Sequence, residues 1–256
     1  MSLPPTFVIN LDNSPERMAK ISERLNELEI PFERLSGVYG AELSQDEILN
    51  SYDPELNLKS YRRELPCGEI GCYLSHIKAW KIIVERQLSC ALILEDDILI
   101  DSEIKQFIQQ LGKSTDDFDI VKLYCSKLKP KIISSEPIGP NHRLCRFQKV
   151  LSGNQGQLIT FNGAKKLLAT YQKFGRPIDV DIQHWWESGI NVLGVFPSVV
   201  NIIENGQSDI DSQITRKNKT TIRGGIKNLV LRARYELNVR LKSQKYAIPK
   251  LYENNN

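Results

Sequence analysis

The run Cys90-Ala91-Leu92-Ile93-Leu94, followed at once by Glu95-Asp96-Asp97, decides the fold class. Five apolar residues without alternation describe a central strand covered on both faces, as in α/β sheets. The acids then fall at the carboxyl end of that strand, where open α/β sheets hold their ligands. Three adjacent carboxylates repel one another unless a cation or hydrogen-bond donors offset them, and hard divalent ions take such oxygens while bridging to phosphates. Solvated acids in a turn, one of them capping the next helix, are the competing reading of the same residues.

Upstream, residues 69–87 place Ile70, Tyr73, Leu74, Ile77, Trp80, Ile83 and Val84 on one helical face, the clearest period in the chain. Residues 6–11 (TFVINL) read as a strand, and Asp12-Asn13-Ser14-Pro15 opens a helix that runs through Leu28. A strand at 32–35 follows, so the chain begins strand, helix, strand. Ser44 with Glu47 spells a capping box, and the polar residues 51–66 read as a loop or excursion. Downstream, 118–124, 157–161, 190–196 and 199–203 are strand segments and 163–171 a helix.

Several classes drop out. Gly37-Val38-Tyr39-Gly40 with Gly68 and Gly71 makes neither GxGxxG nor a P-loop; no HExxH or GxSxG is present, and His76, His142 and His184 are scattered. A histidine alone in a helix, as His76 is, reads first as a satisfied structural residue. The five cysteines form no CxxC pair and read as reduced thiols. No apolar stretch is long enough to span a bilayer, and MSLPPTFVIN lacks the form of a secretory signal, so a cytoplasmic chain is expected.

The net charge of +3 is unevenly held. From Arg216 onward eleven Lys/Arg face two acids, so that end carries +9 and leaves −6 for the rest. A body of that sign offers no broad face to nucleic acid, and no nucleic-acid partner is expected. The division read is 1–215 as the catalytic domain and 216–256 as a basic helical tail.

The ordered block Gly68-Glu69-Ile70-Gly71-Cys72-Tyr73-Leu74-Ser75-His76, then Trp80, the apolar strand and Glu95-Asp96-Asp97, resembles the signature of glycosyltransferase family 25. Phe7-Val8-Ile9-Asn10-Leu11 with Arg17, Gly163-Ala164-Lys165-Lys166-Leu167-Leu168, and Pro177-Ile178-Asp179 add weaker matches, and together they span about residues 6 to 214. The resemblance implies an α/β fold of the GT-A type, Rossmann-like with a mixed central sheet. It also implies inverting transfer from a UDP-sugar, most often UDP-galactose, with Mn2+ or Mg2+. Bacterial lipooligosaccharide enzymes and procollagen galactosyltransferases both belong to that family.

On that basis Asn10, Leu11, Arg17, Ser75, Glu95 and Asp96 are expected at the donor, with Asp97 and Glu95 at the metal. Asp179 matches the family's Pro-x-Asp position and is the expected base, with Asp181 the second candidate; a helix cap is the structural alternative for Asp179. Trp185 or Trp186 can stack on a sugar face, and Asn154, Gln155 and Gln157 can read hydroxyls of a glycan or glycolipid acceptor. Asp209 and Asp211 stand where such enzymes often complete the diphosphate site. In the tail, Ile226, Val230, Ala233, Leu237 and Leu241 share a helical face with basic residues around it. That face either packs on the domain or lies on an anionic membrane surface.

Overall fold

The chain opens with β1 (Thr6–Asn10), α1 (Pro15–Glu27) and β2 (Glu33–Ser36), the expected strand, helix, strand. In the computed structural model, residues 3–113, 115–125, 129–203 and 222–242 are described. Pro15 takes the first helical position of α1, where its missing N–H leaves no bond unmade. After a 3-10 turn (Gly40–Glu42) comes α2 (Gln45–Ser51), whose capping box is complete: Glu47 N–H donates to Ser44 Oγ, and Ser44 N–H donates to the Glu47 carboxylate.

The stretch read as a loop contains α3 (Pro54–Ser60), capped by Asp53, which accepts from the N–H groups of Glu55 and Leu56 at 2.9 and 3.0 Å. Its only buried residue is the polar Asn57, so it carries no apolar period to read. Then follow α4 (Cys67–Glu85) and β3 (Cys90–Glu95). The remaining elements are β4 (Ile98–Ile100), α5 (Ile104–Leu111), β5 (Ile120–Lys122), β6 (Ile132–Ile138), β7 (His142–Phe147), β8 (Gly156–Thr160), α6 (Phe161–Thr170), α7 (Ile178–Gln183), α8 (Trp185–Ser188), β9 (Val192–Phe196), β10 (Val200–Ile202) and α9 (Ile222–Lys242).

Eight strands form one mixed sheet in the order β2-β1-β3-β8-β5-β9-β7-β6. β1 is parallel to β2 and β3, whereas β8 runs against both β3 and β5. β10 leaves this sheet and pairs with β4 in a two-stranded one. β3 feeds two cores with alternate side chains: Leu92 and Leu94 meet α1 and α5, while Ala91 and Ile93 meet α4 and α6. Trp80, Tyr73 and Phe174 anchor the second core, the latter two rings stacked at 3.8 Å. The result is a three-layer α/β domain with a Rossmann-like sheet.

Two glycines set how closely α4 approaches the loop after β2. A Cβ on Gly71 would stand 2.5 Å from the Val38 carbonyl oxygen and 2.7 Å from the Gly40 nitrogen, and one on Gly40 would stand 1.8 Å from the Cys67 oxygen. All of these obstacles are backbone. Ser75 locks the contact, its Oγ accepting from Val38 N–H and donating to the Gly71 carbonyl, both at 2.8 Å. Gly71→Ala is therefore expected to cost about 3 kcal/mol, since the overlap cannot be relieved by a rotamer change. Urea denaturation checks this, and an unchanged midpoint would refute the packing argument.

Candidate functional site

Parallel pairing of β1 with β3 sets Ile9 opposite Glu95, so Asn10 and the acidic cluster emerge side by side at the strand ends. The acids floor a cleft walled by Leu11 and Arg17 on one side and by Val38, Tyr39, Gly40, Ala41 and Gly68 on the other. Cys72, Ser75 and His76 of α4 face the same cleft. Asn10 is buried, and its amide is fully engaged: Nδ2 donates to Asp96 Oδ2 at 2.6 Å and to the Ser14 carbonyl at 2.9 Å, while Oδ1 accepts from Arg34 Nε at 2.8 Å. Asn10 thus orients Asp96 instead of reaching into the cleft. Arg17 lines the cleft 3.8 Å from Asp96 and brings a positive charge beside the acids.

The three acids are unequally placed. Burial pushes the Asp97 carboxyl up to about 6, with the charges of Glu95 and Asp96 adding to the effect and Arg17 opposing it. Its Oδ1 is buried and has no hydrogen-bond partner among the described residues, a costly state for a carboxylate oxygen. Asp96 is likewise raised by burial, against the pull of Asn10 and Arg17. Glu95 Oε1 meets His76 Nε2 at 3.4 Å, and the Gln157 side-chain amide donates to His76 Nδ1 at 3.1 Å. That donation places the imidazole proton on Nε2, aimed at Glu95.

Cys72, His76 and Glu95 could together hold a metal ion. Burial first, then Glu95, Asp179, Glu69 and Asp97, push the Cys72 thiol well above its ordinary value, so without an ion it stays protonated. His76 already has both ring nitrogens engaged. The oxygens of Glu95 and Asp97 remain, a hard donor set that fits Mg2+ or Mn2+. A second grouping, Asp101, Glu103 and His142, is a hydrogen-bonded joint in which His142 Nδ1 donates to the Pro197 carbonyl and Asn141 to Glu103.

Asp179 lies in the first turn of α7, but the helix starts at Ile178 and Asp179 does not cap it. Its Oδ2 accepts from Gly153 N–H at 3.1 Å. Burial brings the Lys122 ammonium down to about 8 against the opposing charges of Asp179 and Glu95. Gly153 bonds to Asp179 and Gln155 to Glu95, so the segment between β7 and β8 links α7 to the acidic end of β3.

Lys122 is fully buried in β5 and donates to the Leu151 carbonyl at 2.8 Å and to Asn154 Oδ1 at 3.3 Å. The segment 151–155 is held from below by this ammonium and from the side by Glu95 N–H, which donates to the Gln155 carbonyl at 2.9 Å. Asn154 Nδ2, Gln155 Oε1 and Gln157 Oε1 are buried and unpartnered among the described residues.

Asp181 is placed elsewhere. It is 2% exposed and accepts from Arg176 Nε at 2.5 Å and from Tyr73 OH at 2.8 Å, while its carbonyl accepts from Tyr171 OH. Its carboxylate is a core anchor, occupied by Arg176 and Tyr73. Trp185 packs against the core, whereas Trp186 meets His184 and Tyr235 of α9 at 5.1 Å or more between ring centroids. Asp209, Asp211 and the boundary at 215 lie outside the described residues. Sequence reasoning missed Lys122, visible as a lone cation inside FDIVKLY, and Arg34, which pairs with Asp12 and carries no signal in an exposed short strand.

Residues 3–182 match the family model described as Glycosyltransferase family 25 (LPS biosynthesis protein). The chain belongs to glycosyltransferase family 25. Among its family-25 relatives, procollagen galactosyltransferase 1-B of Xenopus laevis is 31% identical over 194 residues, 71% of this chain and 30% of the relative. A glycosyltransferase 25 family member of Drosophila melanogaster is 31% identical over 185 residues, 70% and 29% respectively. Procollagen galactosyltransferase 2 of Homo sapiens is 29% identical over 188 residues, 71% and 30%. The chain spans about three tenths of the length of these curated relatives. The family-25 match contains the whole cleft, from Asn10 through Asp97, and ends just past Asp179 and Asp181.

Proposed function

We propose that this family-25 glycosyltransferase moves galactose from UDP-galactose to a hydroxyl of a glycan or glycolipid, with inversion, in a GT-A type site that uses Mn2+ or Mg2+. The observation that carries the reading is the buried Asp97 Oδ1, unpartnered among the described residues, beside Glu95 and Asp96 at the end of β3. A site built to stay empty would not leave three carboxylates in mutual repulsion with one oxygen orphaned. Glu95 and Asp97 are the residues that would hold the ion, and its chemistry is to neutralise charge on the departing diphosphate. Galactose as donor sugar rests on the names of the Xenopus and human relatives. A glycolipid acceptor of the lipopolysaccharide type rests on the family's description as LPS biosynthesis proteins.

The residues divide the work accordingly. Asn10 and Arg17 hold Asp96, and Arg17 also presents its charge to the diphosphate. His76, fixed by Gln157, steadies Glu95. Asp179 takes the proton of the acceptor hydroxyl as its oxygen bonds to the anomeric carbon and the bond to the UDP oxygen breaks. Asn154 and Gln155, with unmet hydrogen-bonding capacity, read acceptor hydroxyls, and Asp181 holds α7 in place. Trp185 and Trp186 contribute as packing groups at the α7–α9 side, leaving sugar stacking to a rim residue such as Tyr39, which is exposed at the cleft.

Calorimetry tests the donor end. UDP-galactose is expected to bind with Mn2+ and to lose on the order of 100-fold in affinity without it or in Asp97→Ala. UDP-glucose in parallel reads the epimer preference. Equal binding with metal, without metal and in Asp97→Ala would overturn the metal site.

A further inference from the structure

The tail helix α9 has two apolar faces where its sequence pattern suggests one. The inner face docks: Val239 is buried, Tyr235 packs among His184 and Trp186, and Glu236 pairs with Lys149. The outer face is the stripe of Ile226, Leu229, Val230, Ala233, Leu237 and Leu241. Ile226, Leu229 and Leu241 are 61%, 68% and 73% exposed, with Val230 and Leu237 close behind. The helix is therefore already held by the domain while its most apolar side faces outward.

At 100° per residue this stripe covers roughly a third of the helix circumference. Arg234 and Lys227 border one edge, and Arg240 falls inside the other. Six Lys/Arg lie within the helix against the single acid Glu236, and that acid is turned onto Lys149. An apolar arc with cationic flanks matches an interfacial helix lying in the plane of a bilayer, apolar residues in the acyl boundary and cations among anionic headgroups. The acidic remainder of the chain repels the same surface, which favours contact through α9 alone.

We propose that α9 docks this protein on an anionic lipid surface through Ile226, Leu229, Val230, Leu237 and Leu241, with the flanking arginines on lipid headgroups. The helix does not cross the bilayer, and among the described residues no helix is long and apolar enough to do so. The inference is independent of the donor and acceptor assigned above, because none of these residues lines the cleft.

Vesicle sedimentation of the full chain is the test, comparing vesicles of phosphatidylglycerol and phosphatidylcholine in equal parts with vesicles of phosphatidylcholine alone. At least tenfold stronger partition into the anionic vesicles is expected. Arg234→Ala with Arg240→Ala should lower it by roughly 25-fold, about fivefold per charge. Val230→Glu with Leu237→Glu should abolish binding while the melting temperature stays unchanged, both positions being exposed. Equal partition into the two vesicle types, or wild-type binding by the glutamate variant, would overturn the proposal. So would a dimer in light scattering that the glutamate variant converts to monomer, since the stripe would then be covered by a second copy.

Discussion

Asp179→Asn is expected to lower transfer to acceptor by on the order of a thousandfold while UDP-galactose affinity stays within about twofold. The substitution is well controlled by the structure. Gly153 N–H donates to Asp179 Oδ2, and an asparagine side-chain oxygen accepts that bond equally well, so segment 151–155 keeps its anchor. What disappears is the capacity to take a proton. Lys122 loses one of the two acids that hold up its charge, but it keeps Glu95 and both of its hydrogen bonds. Initial rates with saturating donor measure the effect, alongside calorimetry for donor binding. Transfer within tenfold of wild type would move the base away from Asp179.

Arg176→Ala is expected to cost about 3–5 kcal/mol of stability, because it leaves the Asp181 carboxylate buried with one of its two side-chain donors removed. In a chain of this size that lowers the melting temperature by roughly 10 °C. The sign of the pH dependence follows from burial, which raises the Asp181 carboxyl from its ordinary 3.8 to about 6 against the opposing pull of Arg176. An acid raised on folding favours the protonated folded state, so its contribution to stability is lost as pH climbs from about 4 through 6. Removing Arg176 takes away the opposing pull and raises the carboxyl further. The deficit of the variant should accordingly be large at pH 8 and shrink toward pH 5. Thermal melts across that range decide the matter, and a deficit growing on acidification would contradict the buried-pair account.

The parts of the site legible in the sequence are those tied to long periods. The helix at 69–87 and the unbroken run CALIL located α4, β3 and Glu95-Asp96-Asp97 and set the α/β class, whereas the mixed Rossmann-like sheet came with the family resemblance. Short or half-exposed elements left no such trace. The three-residue strand β4 is too brief for a period, and β6, at the sheet edge, buries only its last residue. Side-chain roles were harder still, because they depend on partners distant in the chain. Asp181 looks as available as Asp179 until Tyr73, 108 residues away, is seen donating to it. His76 reads as a plain core histidine until Gln157 and Glu95 close around it from two strands. The tail helix misleads differently: its regular apolar stripe is the face left outside, and the less regular face with Tyr235 and Val239 is the one that docks.

Segment 151–155 gives the molecule a property that belongs to its evolution as much as to its chemistry. Its Gln155 carbonyl is tied to the backbone of Glu95, its Gly153 amide to Asp179, and its Leu151 and Asn154 to the ammonium of Lys122. One short stretch of chain thereby serves as a common bearing for the acidic end of β3 and for α7, and a shift in one is felt by the other. Change comes cheaply at the exposed rim around Tyr39, while the bearing and α7, with Asp179 and Asp181, are left alone. The geometry separates a fixed bearing from an open rim.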